Sequence, residues 1–213
     1  MDSRGSRTGR NCKGDNSMDQ TRYIVAVFVL VSYPPAILFW YLLHPFVGFW
    51  RRVGPGVTYA LTVTLLALLV WACWSFRSIL LGRDLGTSWT LAGIAAVLMT
   101  GGVMVEARCK KVLKLPTLVG LPEVRGDMGP GLLTQGIYGR VRHPRYAGAA
   151  LGLISLCLFA NFSGVYVLLG AALAALFGVI RLEERELLAR FGRAYEDYME
   201  EVPCILPLRG REP

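Results

Sequence analysis

The stretch 146-YAGAALGLISLCLFANFSGVYVLLGAALAALFGVI-180 runs for 35 residues without one Asp, Glu, Lys or Arg. As a single helix rising about 1.5 Å per residue it would far exceed a hydrocarbon core of about 30 Å. It must therefore turn back on itself, and the polar, turn-forming cluster inside it is 160-ANFSG-164. The stretch reads as a helical hairpin with short arms. Gly148 with Gly152 forms a GxxxG pair, and Gly170, Ala174 and Gly178 recur at fours, so these small residues read as close helix-packing surfaces.

Upstream, residues 23–50, 56–76 and 85–105 also lack all four charged types, and each is long enough for one crossing. The whole chain of 213 residues is 54% hydrophobic and only 18% charged, against about 25% for an ordinary soluble domain. The expected fold is an all-α integral membrane protein with about five transmembrane helices, three spans plus the hairpin. The divisions are a disordered tail over 1–20, N-terminal transmembrane helices over 21–107, and a functional region over 108–213. Pro34 and Pro35 fall inside the first apolar run, which reads as one kinked span, with a broken or re-entrant segment as the alternative.

The net charge of +8, from 23 basic and 15 acidic residues, suits a membrane surface, and no nucleic-acid partner is expected. Eight cations between Arg108 and Arg145 assign that loop to the cytoplasm, and the hairpin returns the chain to the same side at Arg181. Counting back puts Arg51 and Arg52 inside and Arg77 and Arg83 outside. It also puts the basic tail, with Arg4, Arg7, Arg10, Lys13 and Arg22, outside, against the usual bias; a start at Met18 would remove most of that conflict. Cys12, Cys73, Cys109, Cys157 and Cys204 have no close pair spacing, so neither a zinc site nor a disulfide framework is expected, and no metal.

Two segments flanking the hairpin carry chemistry. In 138-YGRVRHPRYAG-148, Pro144 suits the first turn of a helix, Arg142 offers a planar fork, and His143 can donate, accept or carry charge. Residue types alone leave two readings, an interfacial anchor or a binding site; Arg140 and Arg145 read most simply as interfacial charges at the cytoplasmic face. In 181-RLEERELLARFGRAYEDYMEEVPCILPL-208, Glu184, Leu188, Phe191, Tyr195 and Tyr198 fall on one stripe of an amphipathic helix. A carboxylate on an apolar face needs a cation, so Glu184 either pairs with Arg142 or Arg181 or meets a cationic or hydroxyl-bearing ligand.

Taken together, "GIYGRVRHPRYAG", the small-residue hairpin, "RLEERELLARFGRAYEDY" and "VPCILP" resemble the isoprenylcysteine carboxyl methyltransferases and their relatives among membrane phospholipid methyltransferases, over about residues 130–207. The resemblance implies an S-adenosyl-L-methionine-dependent methyltransferase with a cytoplasmic cofactor-binding cap. It implies a lipophilic small-molecule or prenylated substrate that enters from the bilayer among membrane lipids. It also implies His143, Glu184 and Arg142 as catalytic candidates, with Tyr138, Arg142, His143, Pro144, Tyr146, Glu183, Glu184 and Tyr198 around the cofactor.

A carboxylate acceptor, already ionised at neutral pH, needs no general base, whereas an amine must first lose a proton. The expected reaction is therefore carboxyl O-methylation, with phospholipid N-methylation as the alternative. A sterol-type reductase would be expected to carry Asp-Glu-His where this chain has Glu183, Glu184 and Arg185. A non-catalytic scaffold is the remaining reading. Oligomeric state is left open by the sequence.

Overall fold

The computed structural model describes residues 11–43, 46–112 and 131–205. Among them the regular structure is helical: α1 (Asn11–Leu43), α2 (Val47–Val53), α3 (Pro55–Ser75), α4 (Arg77–Leu81), α5 (Trp89–Lys110), α6 (Pro144–Ala160), α7 (Ser163–Phe191) and α8 (Arg193–Glu201), with a 3₁₀ turn at Gly136–Gly139. Ser17–Phe39, Pro55–Ser75, Trp89–Lys110 and Ser163–Phe191 are long and apolar enough to cross a bilayer, and α6, at 17 residues, is a shorter apolar helix. Large side chains such as Ile79, Trp89, Val97 and Val167 are at least 70% exposed. So much apolar surface turned outward fits lipid rather than water as the surrounding solvent.

The hairpin forms where the sequence places it. Asn161 takes the left-handed conformation at φ 55°, which Asn tolerates better than most residues, and closes α6; α7 starts at Ser163. The arms are unequal, however. Apolar residues 163–180 of α7 are followed without a break by the charged residues 181–191, so the helix projects past the apolar layer. The amphipathic helix expected from 181 onward is thus two pieces, the end of α7 and the separate α8, divided at Gly192 with φ 53°.

α1 begins at Asn11, inside the 1–20 segment expected to be a disordered tail, and continues through Pro34 and Pro35 as one helix. The prolines are tolerated because α1 packs against α3, α6 and α7, and neighbouring helices can compensate the backbone groups that the rings leave without donors. The buried core includes Ala26, Val29 and Leu30 of α1, Leu153, Cys157 and Ala160 of α6, and Val165 and Ala172 of α7.

Polar contacts mark the two ends of this bundle. At one end Arg22 of α1 is 2% exposed; it pairs with Asp84 and with Asp19 (2.9 Å), and reaches Thr87 (3.3 Å) and the Asn161 carbonyl (3.4 Å). Asn161 also donates to the Gly86 carbonyl at 2.8 Å. The start of α1, the α4–α5 connection and the hairpin turn therefore meet at one end. The end of α5 and the start of α6 lie at the other.

Small residues set how closely the helices approach. A Cβ on Gly102 of α5 would lie 3.1 Å from the Gly148 carbonyl of α6, and the Ser155 hydroxyl donates to the Ala95 carbonyl at 2.7 Å across the same pair. Gly178 lies against Tyr41, whose hydroxyl donates to the Ala175 carbonyl at 2.8 Å. Gly170 differs: nothing lies within 4 Å of a Cβ placed there. Its place in the repeat is not a contact, because helical spacing alone does not say which face meets a neighbour.

These environments give opposite expectations for one substitution. Gly164→Ala would drive a methyl group into the Leu80 backbone carbonyl and should cost about 1–3 kcal/mol of stability. Gly170→Ala should leave stability unchanged or raise it by about 0.5–1 kcal/mol through helix propensity. Thermal unfolding of the two variants in detergent, followed by circular dichroism, checks the contrast.

Candidate functional site

At the end of the bundle away from Arg22, the chain enters α6 through Arg142, His143 and Pro144. Pro144 occupies the first helical position, and His143 is the N-cap at φ −119° and ψ 58°. The His143 ring makes no capping bond, so it is available to other groups. Its backbone N–H donates to the Cys204 carbonyl and that of Arg142 to the Pro203 carbonyl, both at 2.9 Å. The segment after α8 is thereby laid along the start of the hairpin.

Arg142 is the hub. Its Nε and Nη2 donate to Glu184 Oε1 at 3.2 and 2.8 Å, and its Nη1 donates to the Met199 and Val202 carbonyls at 2.9 and 2.6 Å. Those carbonyls belong to the C-terminal end of α8, where unpaired acceptors and the helix dipole both favour a cation. One guanidinium thus joins α6, α7 and α8. Its side chain is 10% exposed and that of Glu184 7%.

His143 stands between the two acids. Its Nε2 is 3.3 Å from Glu184 Oε1 and its Nδ1 is 3.7 Å from Glu183 Oε2. The Tyr146 ring, one turn into α6, lies 5.7 Å from the imidazole. Tyr198 donates to the Tyr138 carbonyl at 2.6 Å, fastening α8 to the 3₁₀ turn, and Tyr195 packs 5.8 Å from Tyr198.

Among the described residues, two buried polar atoms here have no hydrogen-bond partner, Glu183 Oε2 and the Tyr195 hydroxyl. Because such atoms are costly in isolation, they are where a ligand would be recognised. Beyond the apolar part of α7, the His143 hydrogen bond and the Arg142 guanidinium hold the Glu184 carboxyl down at about 2, against the effect of burial. Burial pushes the Tyr198 phenol up to about 12, and burial together with the Glu184 charge raises the Cys204 thiol. Nitrogen, oxygen and sulfur of His143, Glu184 and Cys204 lie within 4.8 Å of one another. A metal ion there would compete with Arg142, which already donates twice to the same Glu184 oxygen.

The structure brings together all the residues singled out in the sequence, but in different capacities. Arg142 and Glu184 are partners of each other, with most of the Arg142 fork spent inside the protein. Pro144 is buried and shapes the turn; Tyr138 and Tyr198 hold α8 in place. His143 stands between the two acids with the Tyr146 ring beside it, and Glu183 Oε2 has no hydrogen-bond partner among the described residues. The sequence reading omitted Tyr195 as a site residue although it lay on the Glu184 stripe. The expected connecting loop over 113–130 lies outside the described residues.

Beside this cluster, between α1, α5, α6 and α7, is a cavity of about 600 Å³. Tyr146 belongs to its wall as well as to the surroundings of His143. The remaining wall is mostly apolar, including Ile37, Met99, Leu153 and Ala172.

The Arg142–Glu184 pair gives a signed pH expectation. A carboxyl at about 2 against an ordinary 4.5 contributes stability that is complete above pH 4.5 and is lost as pH falls through about 2. Glu184→Gln should therefore be less stable at neutral pH by about 3 kcal/mol, the lower end for breaking a buried pair because the amide can still accept one hydrogen bond. Its melting temperature should also fall less steeply than the wild type's between pH 4.5 and 2. Melting curves of both proteins across that range test the point.

Comparison with known proteins gives a consistent picture. Residues 89–198 match the family model described as phospholipid methyltransferase. A methanethiol S-methyltransferase of Bradyrhizobium diazoefficiens is 30% identical over 168 residues, 70% of this chain and 58% of that protein. A protein-S-isoprenylcysteine O-methyltransferase of Schizosaccharomyces pombe is 39% identical over 79 residues, 36% of this chain and 33% of that protein. A Delta(14)-sterol reductase of Mus musculus is 33% identical over 97 residues, 43% of this chain and 23% of that protein. This chain therefore spans little more than half of the first relative and smaller shares of the other two. No solved structure matches. The matched region takes in α5, the hairpin and most of α8, the elements that carry the charged cluster, and the chain belongs to the phospholipid methyltransferase family.

Proposed function

We propose that the protein is an integral membrane methyltransferase that takes S-adenosyl-L-methionine at the Arg142–His143–Glu183–Glu184 cluster and methylates a lipophilic acceptor. The observation that carries this reading is the placement of a buried, hydrogen-bonding cluster at the foot of a membrane hairpin, directly against an apolar cavity. Polar and apolar binding surfaces then share one wall at Tyr146.

The residues fit such a cofactor. Glu183 Oε2 and the Tyr195 hydroxyl are buried and have no hydrogen-bond partner among the described residues, and the cofactor's ammonium and ribose hydroxyls are complementary to them. When bound, such a cofactor would supply an activated methyl group on its sulfonium. His143 and Glu183 form the ligand-facing edge, while Arg142 and Glu184 fix where that edge sits. Packing of α6, α7 and α8 around it holds water away, and in-line transfer depends chiefly on such positioning.

Three acceptor classes follow from the family and its relatives: a carboxylate, an amine and a thiol. An acceptor carboxylate is ionised at neutral pH and requires no proton removal from the enzyme, whereas amine and thiol groups must lose a proton to His143 or Glu183. A cavity of about 600 Å³ is far larger than methanethiol requires and suits a hydrocarbon chain. We therefore favour carboxyl O-methylation of a lipophilic acid, with phospholipid N-methylation as the second reading. The basic residues Arg108, Lys110, Lys111, Arg140 and Arg145 at the site end favour a cytoplasmic orientation, with the start of α1 on the opposite side.

Purified protein should bind S-adenosylhomocysteine and not NADPH; the reverse selectivity would transfer the site to reductase chemistry, the activity in the name of the mouse relative. Glu183→Gln and His143→Ala should each weaken S-adenosylhomocysteine binding by at least about tenfold, and the Glu183 variant should keep wild-type melting. With radiolabelled cofactor and a lipid extract, a carboxyl ester will release methanol in base, whereas an N-methyl label will remain bound.

A further inference from the structure

The sequence assigned Arg145 to the membrane interface, but the structure sets it in the cavity wall at the first turn of α6. Among the described residues three charged side chains line the cavity: Glu106 and Lys110 from the last turns of α5, and Arg145. Glu106 and Lys110 answer one another at 3.8 Å, four residues apart. Arg145 makes no ion pair or hydrogen bond among the described residues. One net positive charge is therefore left at the cavity's polar end, where an apolar wall lowers the dielectric and strengthens attraction for an anion.

The rest of the cavity has the complementary character. Gly102, Gly148 and Gly152 also border it, the last two read in the sequence only as packing residues. The wall continues to Ile37 and Leu153 within the membrane-crossing part of the bundle. At about 600 Å³ it falls within the range of about 300–1,000 Å³ common for small-ligand sites.

We infer that this cavity binds a single-chain anionic amphiphile, with Arg145 holding its carboxylate or phosphate head and the hydrocarbon chain lying between α1, α5, α6 and α7. The inference rests on the reading of the cavity as the acceptor site. Tyr146 follows Arg145 directly and faces His143, so a head held by Arg145 sits beside the proposed transfer site. A guanidinium fork recognises planar or tetrahedral oxyanions and offers nothing comparable to an ammonium or a neutral alcohol.

The test uses the full chain in neutral detergent without cofactor, measuring radiolabelled palmitate binding and its competition by hexadecyl phosphate, hexadecanol and hexadecylamine. Palmitate or hexadecyl phosphate should bind at least about tenfold tighter than the alcohol and the amine, and the better of the two identifies the head group. Arg145→Gln should remove that preference while retaining hexadecanol and S-adenosylhomocysteine binding. Leu176→Trp, which fills the cavity from α7, should weaken all four probes, with helicity by circular dichroism confirming that the variant folds. Equal binding of alcohol and acid by the wild type, or an undiminished preference in Arg145→Gln, would overturn the inference. Anion-selective binding without S-adenosylhomocysteine binding would instead refute the proposed function and leave the cavity assignment standing.

Discussion

The ion pair between Arg142 and Glu184 is the constraint on which this end of the molecule is built. Two opposite charges 42 residues apart come within 2.8 Å in a chain whose intervening segment is almost wholly apolar. Neither is tolerable alone in such surroundings. Their meeting fixes the register of the hairpin, because Glu184 reaches Arg142 only if α7 continues past its apolar part. The same guanidinium also donates to two carbonyls at the end of α8, so the C-terminal segment is held by the cation that holds the hairpin.

The opposite end uses the same physics. Arg22 is buried among Asp19, Asp84, Thr87 and the Asn161 carbonyl, with its guanidinium 5.5 Å from the Phe162 ring. One buried arginine thus gathers each end of a bundle whose middle is held by apolar contact, close glycine packing and a few hydroxyl–carbonyl bonds. Lipid-facing helices gain little from the hydrophobic effect against one another, so local polar anchors matter more here than they would in water.

Much of this was legible in the chain. The uncharged runs gave the spans, since a charge within the bilayer is expensive enough to be rare. The turn at Asn161 was legible because it is the one polar cluster in its run. Glu184 announced itself as an acid on an apolar stripe, and the pairing with Arg142 was one of the partners it required. Other features were hidden. Gly192 interrupts the stripe without interrupting its spacing, so one helix and two helices look alike in the pattern. Tyr195 looked like ordinary core, because a phenol's role depends on whether its hydroxyl finds a partner. The carbonyls of Met199, Val202, Pro203 and Cys204 have no signature at all, since backbone acceptors are common to every residue.

The sequence by itself determined that the chain is a helical membrane protein with a hairpin between two charged segments, because these features follow from local composition and the thickness of a bilayer. Only the tertiary structure decided which groups of those segments are spent on one another and which have no hydrogen-bond partner among the described residues. Arg142 looked like a ligand clamp and is largely satisfied inside the protein; Glu183 looked secondary and has a buried oxygen without a hydrogen-bond partner among the described residues; Arg145 looked like a surface anchor and faces the cavity. The reason is physical. A side chain's chemistry is written in its residue type, but its availability is settled by the partners that packing brings within hydrogen-bonding distance.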